Sequence, residues 1–316
     1  MSQATITVCI PVYNTAKYIK QCIESVFAQE FKDWVLLVSD NCSTDGTWEL
    51  LQEFKHPQIR LFRHTQNLGP IANWNFLLEK SETDYVCFLG SDDYFYPNHL
   101  GNKVRLLEQF PEAPFVHGAA DFVNEVGESI RSEHTTEQPS LTENSNEGLK
   151  RLLQSDYINI TTVVFRRKAL ADFNLKFDTR LRLFVDWLLY MELMLHHPFI
   201  VCDPKATAVY RIHPASDARQ NIKSFLWTYE SARFRVDSLM EHPAAWKQIG
   251  VNPEAEALRL TRAFWALAFQ QVRRGNFANA QQAWKFFREF HSPADALLDL
   301  PNYFAGGWRN RRLKSQ

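Results

Sequence analysis

A chain of 316 residues that is 45% hydrophobic and 14% aromatic carries enough apolar side chain to bury a large core in one domain or two, which excludes a disordered or fibrous polymer. Thirty-five basic against thirty-six acidic side chains leave a net charge of −1, so no overall field points to nucleic acid and any charge-based function must be local. The five cysteines, Cys9, Cys22, Cys42, Cys87 and Cys202, are odd in number with no C-x-x-C spacing, and read as reduced, mostly buried thiols of a cytosolic protein.

The N-terminus, MSQATITVCIPVYN, has neither a basic n-region nor a long apolar h-region, and no apolar stretch approaches the roughly 18 residues a spanning helix needs. Neither export nor membrane spanning is indicated. ITVCIPV (6 to 12), WVLLVSD (34 to 40), IRLFRH (59 to 64) and YVCFLGS (85 to 91) are β-rich runs, nearly continuous in apolar character except for the third, as suits central strands covered on both faces. Between them, Ile19, Cys22, Ile23, Val26 and Phe27 follow helical spacing; STDGTWELLQEF offers Ser43 as N-cap with Asp45 in the first turn; a third helix runs from about Pro70 to Lys80. Strand and helix alternating in this way imply right-handed βαβ units and a mostly parallel sheet, whose ligands bind beyond the carboxyl ends of the strands. Pro11, Tyr13 and Asn14 follow the first strand, Asp40 and Asn41 end the second, and Asp92 and Asp93 end the fourth.

Two carboxylates at such a strand end repel each other unless a cation sits between them and a ligand's anionic groups, and a hard divalent ion, Mg²⁺ or Mn²⁺, fits that role. The same doublet also suits a plain strand-end turn in which Asp92 caps the segment before Tyr94 and Pro97. The chain contains neither G-x-G-x-x-G after its first strand nor a G-x-x-x-x-G-K-[ST] loop, so phosphates would be held by metal rather than by a glycine-rich cradle.

Further along, PFVHGAADFVN reads as a fifth strand, and the polar stretch 125–147 as a mobile loop near an acceptor or simply a surface loop. ITTVVFRRKAL gives another strand. Asp186 then precedes a long apolar helical pattern, where a carboxylate is either a catalytic group or an ordinary first-turn acid favoured by the helix dipole. In VYRIHPASDAR, Pro214 biases His213 toward extended backbone, which can hold its imidazole out from a strand end. Beyond residue 219 the pattern turns helical, with an αα-hairpin of 254–274 and 277–290 around Gly275. The tail gathers Trp308, Arg309, Arg311, Arg312 and Lys314, which suit a frayed terminus or peripheral contact with an anionic inner leaflet.

TVCIPVYNTAKYIKQCIESVFAQ, LLVSDNCSTDGTWELL, NLGPIANWNFLLE and YVCFLGSDDYFYP, in this order and at these separations, resemble an inverting family 2 glycosyltransferase. The resemblance is detailed over about residues 5 to 100 and weaker to about 218. It implies a GT-A type, Rossmann-like, mostly parallel sheet flanked by helices over 1–218, followed by a helical C-terminal region, 219–316. It implies that Pro11 and Tyr13 lie against the base of a nucleotide, that Asp40 accepts a hydrogen bond from that base, and that Asn67 and Gly69 stand beside the donor. Asp92 matches the metal-binding acid of the family's D-x-D-D pattern and Asp93 the acid after it. FVDWLLY resembles the segment whose aspartate, here Asp186, takes the proton from the attacking hydroxyl, and His213 matches a histidine that joins the metal or the leaving diphosphate. Gly90 and Val185 depart from the pattern: the first stands where the family often has an aspartate near the donor ribose, the second where it has a glutamate.

The expected activity is metal-dependent transfer from a nucleoside-diphosphate sugar to a glycan or lipid-linked glycan in surface polysaccharide synthesis, in the cytoplasm or on the inner membrane face. The two departures keep open a catalytically silent relative that binds sugar nucleotide or glycan as an assembly partner. A nucleotidyltransferase would share the architecture, but should carry a glycine- and basic-rich loop after its first strand.

Overall fold

The computed structural model describes residues 4–132, 141–214, 224–273 and 275–290, and the chain divides into two compact units, Met1–Arg219 and Gln220–Gln316. The first unit begins with the alternation expected from the sequence: β1 (Ile6–Val12), α1 (Ile19–Phe27), β2 (Trp34–Asp40), α2 (Thr47–Glu53), β3 (Ile59–Arg63), α3 (Pro70–Lys80) and β4 (Tyr85–Phe88). β1 pairs in parallel with both β2 and β4, and β2 with β3. Helices cover such a sheet on both faces, which is why Val8, Ile10, Leu36, Val38, Val86 and Phe88 are all buried whichever way they point. Ile19, Cys22, Ile23 and Val26 form the buried stripe of α1.

β1 has neighbours on both sides, so chain order reverses around it and a crevice opens beyond its carboxyl end. Pro11 sits at that end without weakening the ladder. Pairing with β4 stops at Cys9 opposite Phe88, and by strand alternation the N–H that Pro11 lacks would point to the side β4 has already vacated.

The unit continues with β5 (Tyr94–Phe95), α4 (His99–Gln109), β6 (Phe115–Val123), β7 (Ser129–Ser132), β8 (Thr142–Asn144), α5 (Ser145–Leu152), β9 (Val164–Arg166), α6 (Arg167–Asp172), α7 (Val185–His196) and β10 (Phe199–Arg211). The strand order is β3-β2-β1-β4-β9-β6-β10-β5, with β7 on β6 and β8 on β10. β9 runs antiparallel to both β4 and β6, so the sheet is parallel in its first half and mixed beyond.

Two local expectations are corrected. The helix after β2 starts at Thr47 behind Gly46, whose φ of 91° only glycine adopts readily, and Ser43 is not its cap. Ser43 and Asp45 are drawn instead to the loop after β1: Ser43 Oγ accepts from the Asn14 N–H at 2.9 Å, and Asp45 accepts from the Ala16 N–H at 3.0 Å. The polar stretch 125–147 is not one long loop. Its described parts include β7, β8 and the start of α5, capped by Asn144, while 133–140 lie outside the described residues. The thirteen-residue β10 was legible only at its end, because its middle, Asp203 to Thr207, breaks register with β6. Asp203 there meets the buried Lys103, whose Nζ is 3.5 Å from its carboxylate and 3.1 Å from the His117 carbonyl.

In the second unit, α8 (Phe225–Glu241), α9 (Pro243–Gln248), α10 (Pro253–Arg273) and α11 (Phe277–Phe290) follow one another. Gly275, at φ 78°, marks the stop between the last two. Phe234, Trp246, Phe286 and Phe287 are buried. Among the described residues no helix is long and apolar enough to cross a membrane. All five cysteines are free thiols, and burial pushes Cys9 up to about 12. The basic tail and residues 215–219 of the VYRIHPASDAR segment lie outside the described residues.

Candidate active site

The crevice beyond β1, β2 and β4 is built from four loops. Val12 stands opposite Asp40 in the β1–β2 register, which brings Pro11 and Tyr13 beside the end of β2. Tyr13 is 48% exposed, an aromatic face left to solvent at the ligand edge. Asp40 is fully buried, and its carboxylate accepts from the Ser43 N–H at 3.1 Å and pairs with Arg63 at 3.3 Å. Arg63 in turn lies over the Trp48 ring, 5.2 Å from its centroid. A base approaching Asp40 therefore meets a guanidinium as well as an acceptor, a pairing that sequence order gave no sign of.

Asn67 and Gly69 are brought to the same edge by Asn41, the buried residue next to Asp40. Its amide donates to Asn67 Oδ1 and to the Gly69 carbonyl, each at 3.0 Å, and its oxygen accepts from the Leu68 N–H at 2.8 Å. Gly69 has φ 85°, which an L side chain would strain, and Pro70 starts α3 directly behind it. Asn41→Ala removes three hydrogen bonds from a buried site. It is expected to destabilise the protein by about 1–3 kcal/mol, seen as a drop of several degrees in Tm in a thermal melt.

β4 ends at Phe88, and the Asp93 N–H donates back to the Gly90 carbonyl at 3.0 Å, closing a tight turn. The turn sends the two acids in different directions. Asp93 is buried, with one carboxylate oxygen accepting from the Arg211 N–H at 2.8 Å and the other from the Thr161 hydroxyl at 2.7 Å. Burial first, and the neighbouring Asp92 charge second, push its carboxyl well above the usual range. Asp93 thus ties the turn to β10. Asp92 keeps a quarter of its side chain exposed, and its Oδ2 lies 2.8 Å from Nε2 of the nearly buried His213, just past β10. The His213 ring packs on Tyr18 at 5.0 Å. Gly90 leaves the space the acids use: a Cβ there would come within 2.8 Å of Asp93 Oδ2 and 3.0 Å of Asp92 Oδ1.

Asp186 stands in the first turn of α7, half-buried, and accepts from the Trp187 N–H at 2.9 Å. Burial pushes its carboxyl up to about 6. Tyr190, one turn on and fully buried, is raised by burial and then by the charges of Asp186 and Asp156. Among the described residues no hydrogen bond joins Asp186 to the acid loop.

Asp92 and His213 converge as a carboxylate, suited to Mg²⁺ or Mn²⁺, and an imidazole, a nitrogen donor that Mn²⁺ accepts more readily than Mg²⁺, and no group of three or more His, Cys, Asp or Glu side chains gathers among the described residues. Two chain donors fit a cation that completes its shell with phosphate oxygens and water. Sequence order placed Asn41 at the ligand edge without a role and missed Arg63, Thr161 and Arg211. Only Arg211 had a signal, as a basic residue at the end of an apolar run leading to His213.

Comparison with known proteins agrees with this architecture. The model of the family "Glycosyl transferase family 2" matches residues 7–173. An uncharacterized glycosyltransferase of Haemophilus influenzae is 28% identical over 72% of this chain and 88% of its own length. The succinoglycan biosynthesis protein ExoO of Rhizobium meliloti is 27% identical over 68% of this chain and 62% of itself. The UDP-Glc:alpha-D-GlcNAc-diphosphoundecaprenol beta-1,3-glucosyltransferase WfaP of Escherichia coli is 27% identical over 33% and 41%. Matches to three Rickettsia glycosyltransferases span only 19 to 22% of those longer proteins.

Among solved structures, S. aureus TarS 1-349 in complex with UDP-GlcNAc superposes with a TM-score of 0.64 at 18% identity, over 92% of this chain and 93% of that one. The mannosyltransferase PcManGT of Pyrobaculum calidifontis, in complex with GDP-Man and Mn2+, gives 0.54 at 19% identity, over 95% and 80%. At these identities the likeness establishes the shared GT-A fold. With the family model covering more than half of its residues, the chain belongs to glycosyl transferase family 2.

Proposed function

We propose that the protein is a metal-dependent inverting glycosyltransferase, moving a sugar from a nucleoside-diphosphate sugar to a hydroxyl of a glycan or lipid-linked glycan in surface polysaccharide synthesis. The observation that carries the reading is the Asp92–His213 pair, 2.8 Å apart at the carboxyl edge of parallel strands, in a chain whose raised acid, Asp186, opens a different helix. The metal end and the base are then separate groups, as displacement of a diphosphate requires.

In this reading the base of the donor lies against Tyr13 and Pro11 and meets Asp40 and Arg63, while the turn at Asn67 and Gly69 borders it. Asp92 and His213 would hold the divalent cation. Bound there, the cation supplies charge neutralisation for the leaving diphosphate. Asp186 accepts the acceptor hydroxyl's proton as that oxygen bonds to the anomeric carbon, and the carbon–oxygen bond to the diphosphate breaks on the opposite face. Nucleoside diphosphate leaves with the bonding electron pair, and configuration inverts. The name of the E. coli relative pairs UDP-Glc with a beta linkage on a diphosphoundecaprenol-bound sugar, which supports both the inversion and the lipid-linked acceptor. Such an acceptor would place the reaction at the inner membrane face.

Calorimetric titration of UDP, TDP, GDP and CDP, with and without Mn²⁺, tests the donor site. One diphosphate is expected to bind tightly and only with metal. Absence of metal-dependent binding for all four would remove the reading and favour the silent sugar-nucleotide relative.

A further inference from the structure

We infer that Arg211 is the positioning residue of the metal end of the site: braced on α1 and on the turn after β6, it fixes Asp92 in register with His213. The inference rests on the proposed metal-dependent reading and names what holds its two ligands together.

Asp92 lies in a turn that begins at a residue with no side chain, and a quarter of its own side chain faces solvent, so nothing in its immediate sequence locks its direction. Arg211 supplies the lock from 119 positions away. Its Nε donates to the Asp92 carbonyl at 2.8 Å, while its backbone N–H holds the Asp93 carboxylate at 2.8 Å. One residue thereby pins both halves of the acid doublet to the end of β10. His213 follows two positions later, so the imidazole and the carboxylate it meets are referred to the same strand end.

The guanidinium is itself held from both sides. Nη2 donates to Gln21 Oε1 on α1 at 2.7 Å, and Nη1 donates to the carbonyls of Asn124 and Glu125 at 3.3 and 3.4 Å. Tyr18 and Tyr94 flank its carbon at 5.1 and 5.6 Å from their ring centroids. The turn it grips is stiff, because Asn124 Oδ1 accepts from the N–H groups of Val126 and Glu128. Lys17 ties the loop after β1 to the same turn through Glu125.

Four of the five N–H donors of the guanidinium are thus occupied by protein oxygens. With Arg211 only 3% exposed, its charge acts through Asp92 rather than by direct contact with a diphosphate. Lysine keeps the charge but not the planar fork, so it cannot reproduce the three-way brace.

The test is Mn²⁺ titration by electron paramagnetic resonance, in the presence of UDP and in parallel GDP, on wild type, Arg211→Lys and Gln21→Ala. Arg211→Lys is expected to weaken Mn²⁺ binding about 10- to 100-fold, and Gln21→Ala, an exposed position whose loss the fold tolerates, about 2- to 5-fold. Nucleotide affinity at saturating Mn²⁺ should stay near the wild-type value in both. Excess Mn²⁺ should restore kcat, a separation that a merely unfolded fraction would not show. Wild-type Mn²⁺ affinity in a folded Arg211→Lys overturns the inference, as does an unchanged Gln21→Ala if Arg211→Lys fails to fold. Wild type that takes up no Mn²⁺ with any of UDP, GDP, TDP and CDP, each tried in turn, overturns the parent reading as well, so the two failures are distinguishable.

Discussion

Asp186→Asn is expected to lower sugar transfer by about 10²- to 10⁴-fold while leaving nucleotide and Mn²⁺ binding near wild-type values. The amide keeps an oxygen that can accept from the Trp187 N–H, but it cannot take a proton from an attacking hydroxyl. Stability should not confuse the result. A carboxyl whose folded pKa lies above its unfolded value stabilises the fold while protonated, and that contribution is lost as pH rises through about 6. At pH 8 wild type therefore carries the burden of a half-buried charge, which the asparagine variant escapes, so its Tm there should be equal or higher. The same shift sets the pH profile. The working base must be ionised, and kcat/KM, which reports the free enzyme, should rise with pH along an acid limb centred near 6 rather than near 4. Full transfer by Asp186→Asn would remove Asp186 from the base role, whereas a limb near 4 would remove the upward shift and not the role.

Asp92→Asn is expected to abolish metal-dependent nucleotide binding, with Mn²⁺ affinity falling by about 100-fold or more, since a group touching the ion should matter at least as much as those that orient its ligands. The change is conservative in volume and leaves a neutral partner for His213, so the fold should persist. Removing the charge also relieves its repulsion of the buried Asp93. Calorimetric titration with and without Mn²⁺ reads the outcome directly. Undiminished metal-dependent binding would show that the cation is held elsewhere.

Much of the donor half was legible because its signals are local. β1, β2 and β4 are covered on both faces and so spell themselves out as apolar runs, and α1 writes its buried stripe at helical spacing. β10 was not legible as a whole, since Asp203 and Lys205 interrupt it and its irregular register is paid for by a distant lysine, Lys103. The acid doublet shows the limit more sharply. Asp92 and Asp93 are the same residue type side by side, yet one turns outward to His213 and the other inward to Thr161. The turn at Gly90 and the arrival of β10 decide which is which, and the second is written far along the chain from residues 92 and 93. Arg63 is another such case, because its partnership with Asp40 depends on the β2–β3 register.

Gly90 has a consequence for how this sequence can change. The two carboxylates fold back over the position where a Cβ would stand, and Asp93 cannot yield without giving up Thr161 or Arg211. An aspartate introduced at 90 would add a third acid against that pair and displace it. Position 90 and the resting place of its neighbours therefore form one structural unit, and a side chain at 90 is accommodated only if all of them move together.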